Sequence, residues 1–127
     1  MIVEEMLDIE EMIDELRTNY PLAASILDRV PEMDLEEAGT LALLVDGVRS
    51  LGKIHALRLL NMEDKNVDDR MIKIKINEVK EKNPVLGHIL DRIHGMNLKE
   101  TYTGLLVLDS LEYILKSRQV DVLREKG

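Results

Sequence analysis

A chain of 127 residues with 45 % hydrophobic and 33 % charged residues has the balance of one folded globular domain rather than of a disordered segment. It has no Cys, which excludes disulfides, thiolate metal sites and cysteine nucleophiles, and no Phe or Trp, so its core must be built from Leu, Ile, Val, Met and Ala. A net charge of −8, with Tyr20, Tyr102 and Tyr113 as the only aromatic platforms, argues against nucleic acid or an anionic membrane surface as the main partner.

The chain opens on "MIVEEMLDIEE", acidic where a secretory leader is basic, and no uncharged run is long enough to span a bilayer. A cytoplasmic protein is the expectation. Met6, Ile9, Ile13 and Leu16 recur every three or four positions and predict a first helix over roughly residues 2–18. Pro21 suits the first position of a short second helix, where its missing N–H costs nothing, and Pro31 is expected to stop that helix near Val30. Asp34-Leu-Glu-Glu37 has the pattern of a capping box: the Asp accepts from an early N–H, and the Glu reaches back to the cap's own N–H. A long third helix should run from there to about Leu60, with Gly47 and Gly52 positioned to loosen or bend it.

"NMEDKNV" then reads as a linker, and the pattern starts again. "DDRMIKIKINEVKEKN" alternates Ile72, Ile74 and Ile76 with Lys as a strand would. Pro84 opens another short helix ending at Gly95, and Asn97-Leu-Lys-Glu100 is a second capping box before a second long helix to about Leu123.

The restart is a repeat. "YPLAASILDRVPEMDLEEAGTLALLVDGV" from Tyr20 is answered by "NPVLGHILDRIHGMNLKETYTGLLVLDSL" from Asn83, a shift of 63 residues without a gap. Sixteen of the 52 pairs between residues 9–60 and 72–123 are identical, among them Pro21/Pro84, Asp28/Asp91, Arg29/Arg92, Met33/Met96 and Asp46/Asp109. Two amphipathic segments matched by composition alone would share leucines, but not such an ungapped set. Ile72, Ile76 and Val79 fall on Ile9, Ile13 and Leu16, so the strand-like stretch is a helix. The expectation is an all-α protein of six helices, residues 1–127 as one domain. Residues 1–63 form an acidic copy and residues 64–127 a nearly neutral one. Three helices of this size bury little alone, so the copies should share a core as a pseudo-twofold helical bundle.

Among charged residues kept in both copies, Asp46 and Asp109 interrupt apolar runs, where an ionised carboxylate needs a partner. Arg29 and Arg92 are their natural partners, either as bonds within each copy or as the lining of a polar cleft between the copies. Asp28 and Asp91 should face solvent. His88, Asp91 and His94 are spaced by three on one helix and form a weak metal candidate; a surface role is the simpler reading, since real sites need three or four converging ligands. Arg49 followed by His55 is similar to the catalytic pair of the HEPN-type ribonucleases, small helical proteins that act as dimers. That resemblance covers two residues, and the second copy holds Glu112 and Arg118 instead, so both read as solvated helix residues. No phosphate loop or nucleophile elbow occurs, and no cofactor is implied.

The first helix of each copy is the best interaction feature. "VEEMLDIEEMIDELR" carries seven acidic residues beside a stripe of Met6, Ile9, Met12, Ile13 and Leu16. Its counterpart sets Ile72, Ile76 and Val79 among Arg70, Lys73, Lys75, Lys80 and Lys82. Such helices pair within a chain or across a dimer, or simply present solvated faces. The reading is a non-enzymatic α-helical interaction or scaffold protein that forms a homodimer or binds another protein, with a ligand-binding cleft between the repeats as the alternative.

Overall fold

The computed structural model describes residues 11–126 apart from 12, 15, 19 and 63–67, and every regular element among them is helical. Met6, Ile9 and Met12 lie outside the described residues. The described residues between 11 and 18 are helical, with Leu16 buried and Ile13 half-buried against the core.

Helix α1, Pro21–Leu27, begins on its proline and buries Ala23, Ile26 and Leu27. Pro31 does not act as the stop: the helix has already ended, and Pro31 sits inside a 3-10 turn, Val30–Glu32, that needs no N–H from it. Helix α2, Leu35–Leu59, starts where Asp34 accepts from the Glu37 N–H at 2.8 Å. It ends in a Schellman motif. Asn61 adopts a left-handed φ of 57°, the Met62 N–H donates to the Leu57 carbonyl at 2.8 Å, and the Asn61 N–H donates to that of Arg58.

Helix α3, Asp69–Lys82, is capped by Asp68. Its 3.6-residue period settles the strand-like alternation, burying Ile72 and Val79, half-burying Ile76 and leaving Ile74 60 % exposed. Helix α4, Pro84–His94, is capped by Asn83 and buries Leu86, Leu90 and Ile93. Helix α5, Leu98–Lys126, follows a complete capping box: the Glu100 N–H donates to Asn97 Oδ1 at 2.8 Å, and Asn97 N–H donates to Glu100 Oε1 at 3.3 Å.

The most extensive interhelix packing joins the two long helices. They run antiparallel: Gly52 meets Leu105 near one end of the contact, and Gly39 meets Gln119 near the other. Gly52 lies inside the continuous helix, against α5. A Cβ there would lie 2.9 Å from Leu105 Cδ2, so the glycine is what lets α5 come close. Val45 and Val48 of α2 and Leu108, Leu111 and Leu115 of α5 are almost wholly buried along this seam. Helices α1, α3 and α4 close over it, and one contiguous core takes side chains from both halves, from Leu16 to Leu115. Each large aliphatic side chain buried this fully contributes about 1.5–3 kcal/mol. Among the described residues, no helix is long and apolar enough to cross a membrane.

Candidate functional site

Charged side chains gather midway along the crossing of α2 and α5. Arg49 on α2, its side chain only 26 % exposed, donates to Asp46 Oδ1 at 2.6 Å, one turn back, and to Asp109 Oδ1 on α5. It also reaches Glu112 Oε2 on α5 at 3.2 Å. Glu112 is 8 % exposed, and its other oxygen lies 3.3 Å from Lys116 Nζ. The hydrogen bond it donates to Asp109 is the main reason the Arg49 guanidinium holds its proton more tightly than usual; burial opposes it, while Asp46 and Glu112 reinforce it. Three carboxylates and two cations nearly neutralise one another here. Chemically the arrangement is a clasp that ties two helices together, since a carboxylate as buried as Glu112 persists only beside its cations.

Asp46 and Asp109 are therefore brought together, through Arg49 rather than through Arg29 or Arg92. Those two arginines lie elsewhere, both exposed. Arg29 lines a groove with Glu36, Glu37 and Lys82, and Arg92 borders a small apolar cavity of about 80 Å³ walled by Ile89, Ile93, Met96, Gly104 and Val107. Asp28 and Asp91, expected in open solvent, each hold a cation of the preceding helix: Arg17–Asp28 and Lys80–Asp91 both measure 2.9 Å. The members of the two pairs are offset by the same 63 residues.

His88 is exposed, Asp91 is taken by Lys80, and His94 turns back so that Nδ1–H donates to the Leu90 carbonyl at 2.8 Å. Among the described residues no three His, Asp or Glu converge as metal ligands. Arg49 and His55 are not solvated. Arg49 is the hub of the clasp. His55 donates through Nε2 to the Met96 carbonyl at 3.1 Å, which puts its proton on that nitrogen, and its ring sits 5.5 Å from that of His94. At the position 63 residues later, Arg118 donates from Nε to the Met33 carbonyl at 3.0 Å. Each long helix thus ties down the turn that precedes the other.

On the interaction helices, Leu16, Ile72 and Val79 are buried, and Ile13 and Ile76 are half-buried, all in the chain's own core. What remains outside is different. Leu43 and Leu106, identical across the 63-residue offset, are 75 % and 50 % exposed, and Leu60 and Leu123 are 48 % and 54 % exposed. The sequence pattern does not show which retained leucines stay outside the core, and it does not by itself pair Glu112 with Arg49. One signal was available: positions 49 and 112 are equivalent in the repeat yet opposite in charge, as two positions facing each other would need to be. No protein-family model, curated protein or solved structure matches this chain.

Proposed function

We propose that this chain is a non-enzymatic α-helical interaction or scaffold protein that self-associates, built by duplication of a three-helix unit about a pseudo-twofold axis. The observation that carries the self-association is two pairs of leucines, Leu43/Leu106 and Leu60/Leu123, kept identical in both halves yet left largely in solvent. Side chains that serve the chain's own core explain themselves; large apolar side chains half or more exposed mark contact surfaces when they form continuous patches. The axis is supported by contacts that recur at the same offset: Arg17–Asp28 with Lys80–Asp91, and His55–Met96 with Arg118–Met33. It is supported also by Arg49 facing Glu112, two equivalent positions in contact.

Size-exclusion chromatography with light scattering, at low and high salt, tests the reading. A defined dimer supports it. A mass of 14.5 kDa at every concentration and both salts would overturn it. A second reading has one observation in its favour: the apolar cavity bordered by Arg92 would suit a small apolar anion. A thermal-shift screen with short-chain carboxylates that moves the wild type but not Arg92→Ala supports that alternative, and no shift removes it.

A further inference from the structure

The outer face of α5 carries an ordered pattern whose apolar and tyrosine members stay exposed. Tyr102, Leu106, Asp109, Tyr113, Lys116, Val120 and Leu123 follow one another at alternating intervals of four and three residues. This is the spacing of a coiled-coil seam. Leu108, Leu111, Leu115 and Val122, which bury α5 in the core, lie on the opposite side of the same helix. The five apolar or tyrosine members of the outer stripe are between 46 % and 64 % exposed, and the side chains of Asp109 and Lys116 are 49 % and 65 % exposed.

Read from either end, the stripe has the same character: two apolar or aromatic positions, a charge, Tyr113, a charge, two apolar positions. Only the charges exchange sign. We infer that this face docks a second copy of the chain, α5 against α5 in antiparallel orientation about Tyr113, as a specific form of the proposed self-association on which the inference rests. In that orientation Asp109 comes level with the partner's Lys116 and Lys116 with the partner's Asp109, while Leu106 meets the partner's Val120. A parallel copy would set acid against acid and base against base. A twofold interface must be self-complementary, and the antiparallel one is. Asp109 remains able to take part because its bonds to Arg49 use Oδ1.

The test uses the full chain. Light scattering should give twice 14.5 kDa for the wild type and 14.5 kDa for Leu106→Glu/Val120→Glu, with the helical circular dichroism unchanged. Lys116→Glu should weaken the dimer by roughly tenfold or more, since it sets two acids together. The natural chain has no cysteine, so Tyr113→Cys gives a single thiol near the inferred axis. Under mild oxidation it should form covalent dimers much faster than Thr103→Cys. A dimer that survives Leu106→Glu/Val120→Glu would keep self-association and overturn this face as its site. A monomeric wild type would overturn both. If the double variant fails to fold, the cysteine pair decides: equal crosslinking rates at 113 and 103 overturn the antiparallel seam.

Discussion

Two sets of ion pairs in this molecule treat the 63-residue offset in opposite ways. The surface pairs, Arg17–Asp28 and Lys80–Asp91, hold the same kind of charge at equivalent positions. The clasp at the helix crossing does not: Arg49 and Glu112 stand at the same offset of 63 residues but are opposite in sign, and they touch. The physical reason is where the partners come from. Each surface pair is made within one half, so nothing is lost when both halves keep the same residues. At the crossing the two equivalent positions are each other's neighbours, and identical residues would bring like charges together in a largely buried place. A difference between positions 49 and 112 is required there, and a difference at the surface pairs is not.

The strongest way to break this comparison is Arg49→Glu, which would leave four carboxylates against Lys116. Removing one partner of a buried pair costs about 3–5 kcal/mol; partial exposure of Asp46 and Asp109 brings the expected loss to about 2–4 kcal/mol in urea unfolding. Combining it with Glu112→Arg reverses the pair and keeps the cluster, so the double variant should recover at least ~1 kcal/mol over Arg49→Glu alone. No recovery would mean that position 112 does not face position 49 as described.

Smaller effects sharpen it. The two capping boxes differ, one joined by reciprocal bonds at Asn97 and Glu100, the other anchored by Asp34 on Glu37. Asn97→Ala should lower stability by about 1 kcal/mol, seen as a drop in thermal midpoint, and Asp34→Ala by a similar amount or slightly less. Arg17→Ala and Lys80→Ala, at pairs roughly half open to solvent, should each cost no more than about 0.5 kcal/mol and respond equally to salt. A loss above 1 kcal/mol at either would show that the pair does more than an exposed contact within its own half.

The smallest effect concerns pH. Lys82 holds the Glu78 carboxyl below its ordinary value of 4.5, chiefly through their hydrogen bond, with Lys75 adding a weaker pull. A depressed folded value stabilises the fold above the unfolded value and ceases to do so as pH falls through the depressed one. Thermal scans of the wild type and Glu78→Gln should therefore differ slightly near pH 6 and converge as the pH approaches 3. A gap that widens on acidification would reverse the sign.

Much of the local structure was legible. Asp34, Asn97, Pro21 and Pro84 mark helix starts because a cap or a ring acts on its own turn, and the 63-residue offset turned a strand-like stretch into α3 by lending it the periodicity of its counterpart. Helix ends were legible at Leu60 and Gly95, where the expected stops are the caps, and less so elsewhere. Asn61 closes α2 in a left-handed conformation that pattern reading did not anticipate, and Pro31 stops nothing.

The charged residues were found but mispaired. Asp46 and Asp109 stood out because ionised groups in apolar runs need partners, yet the sequence contains no distance between α2 and α5 and so could not choose Arg49 over Arg29 or Arg92. Retained leucines were equally ambiguous, since a helix buries one arc and exposes another, and only packing decides on which arc Leu43 or Leu106 falls. By itself, then, the sequence determined the helical class, the cap positions and the identities at the 63-residue offset, all of which depend on residues within a few turns of one another or on direct comparison. The tertiary structure alone decided which carboxylates share a guanidinium and which apolar stripe is left in solvent, because both follow from how two long helices are rotated against each other.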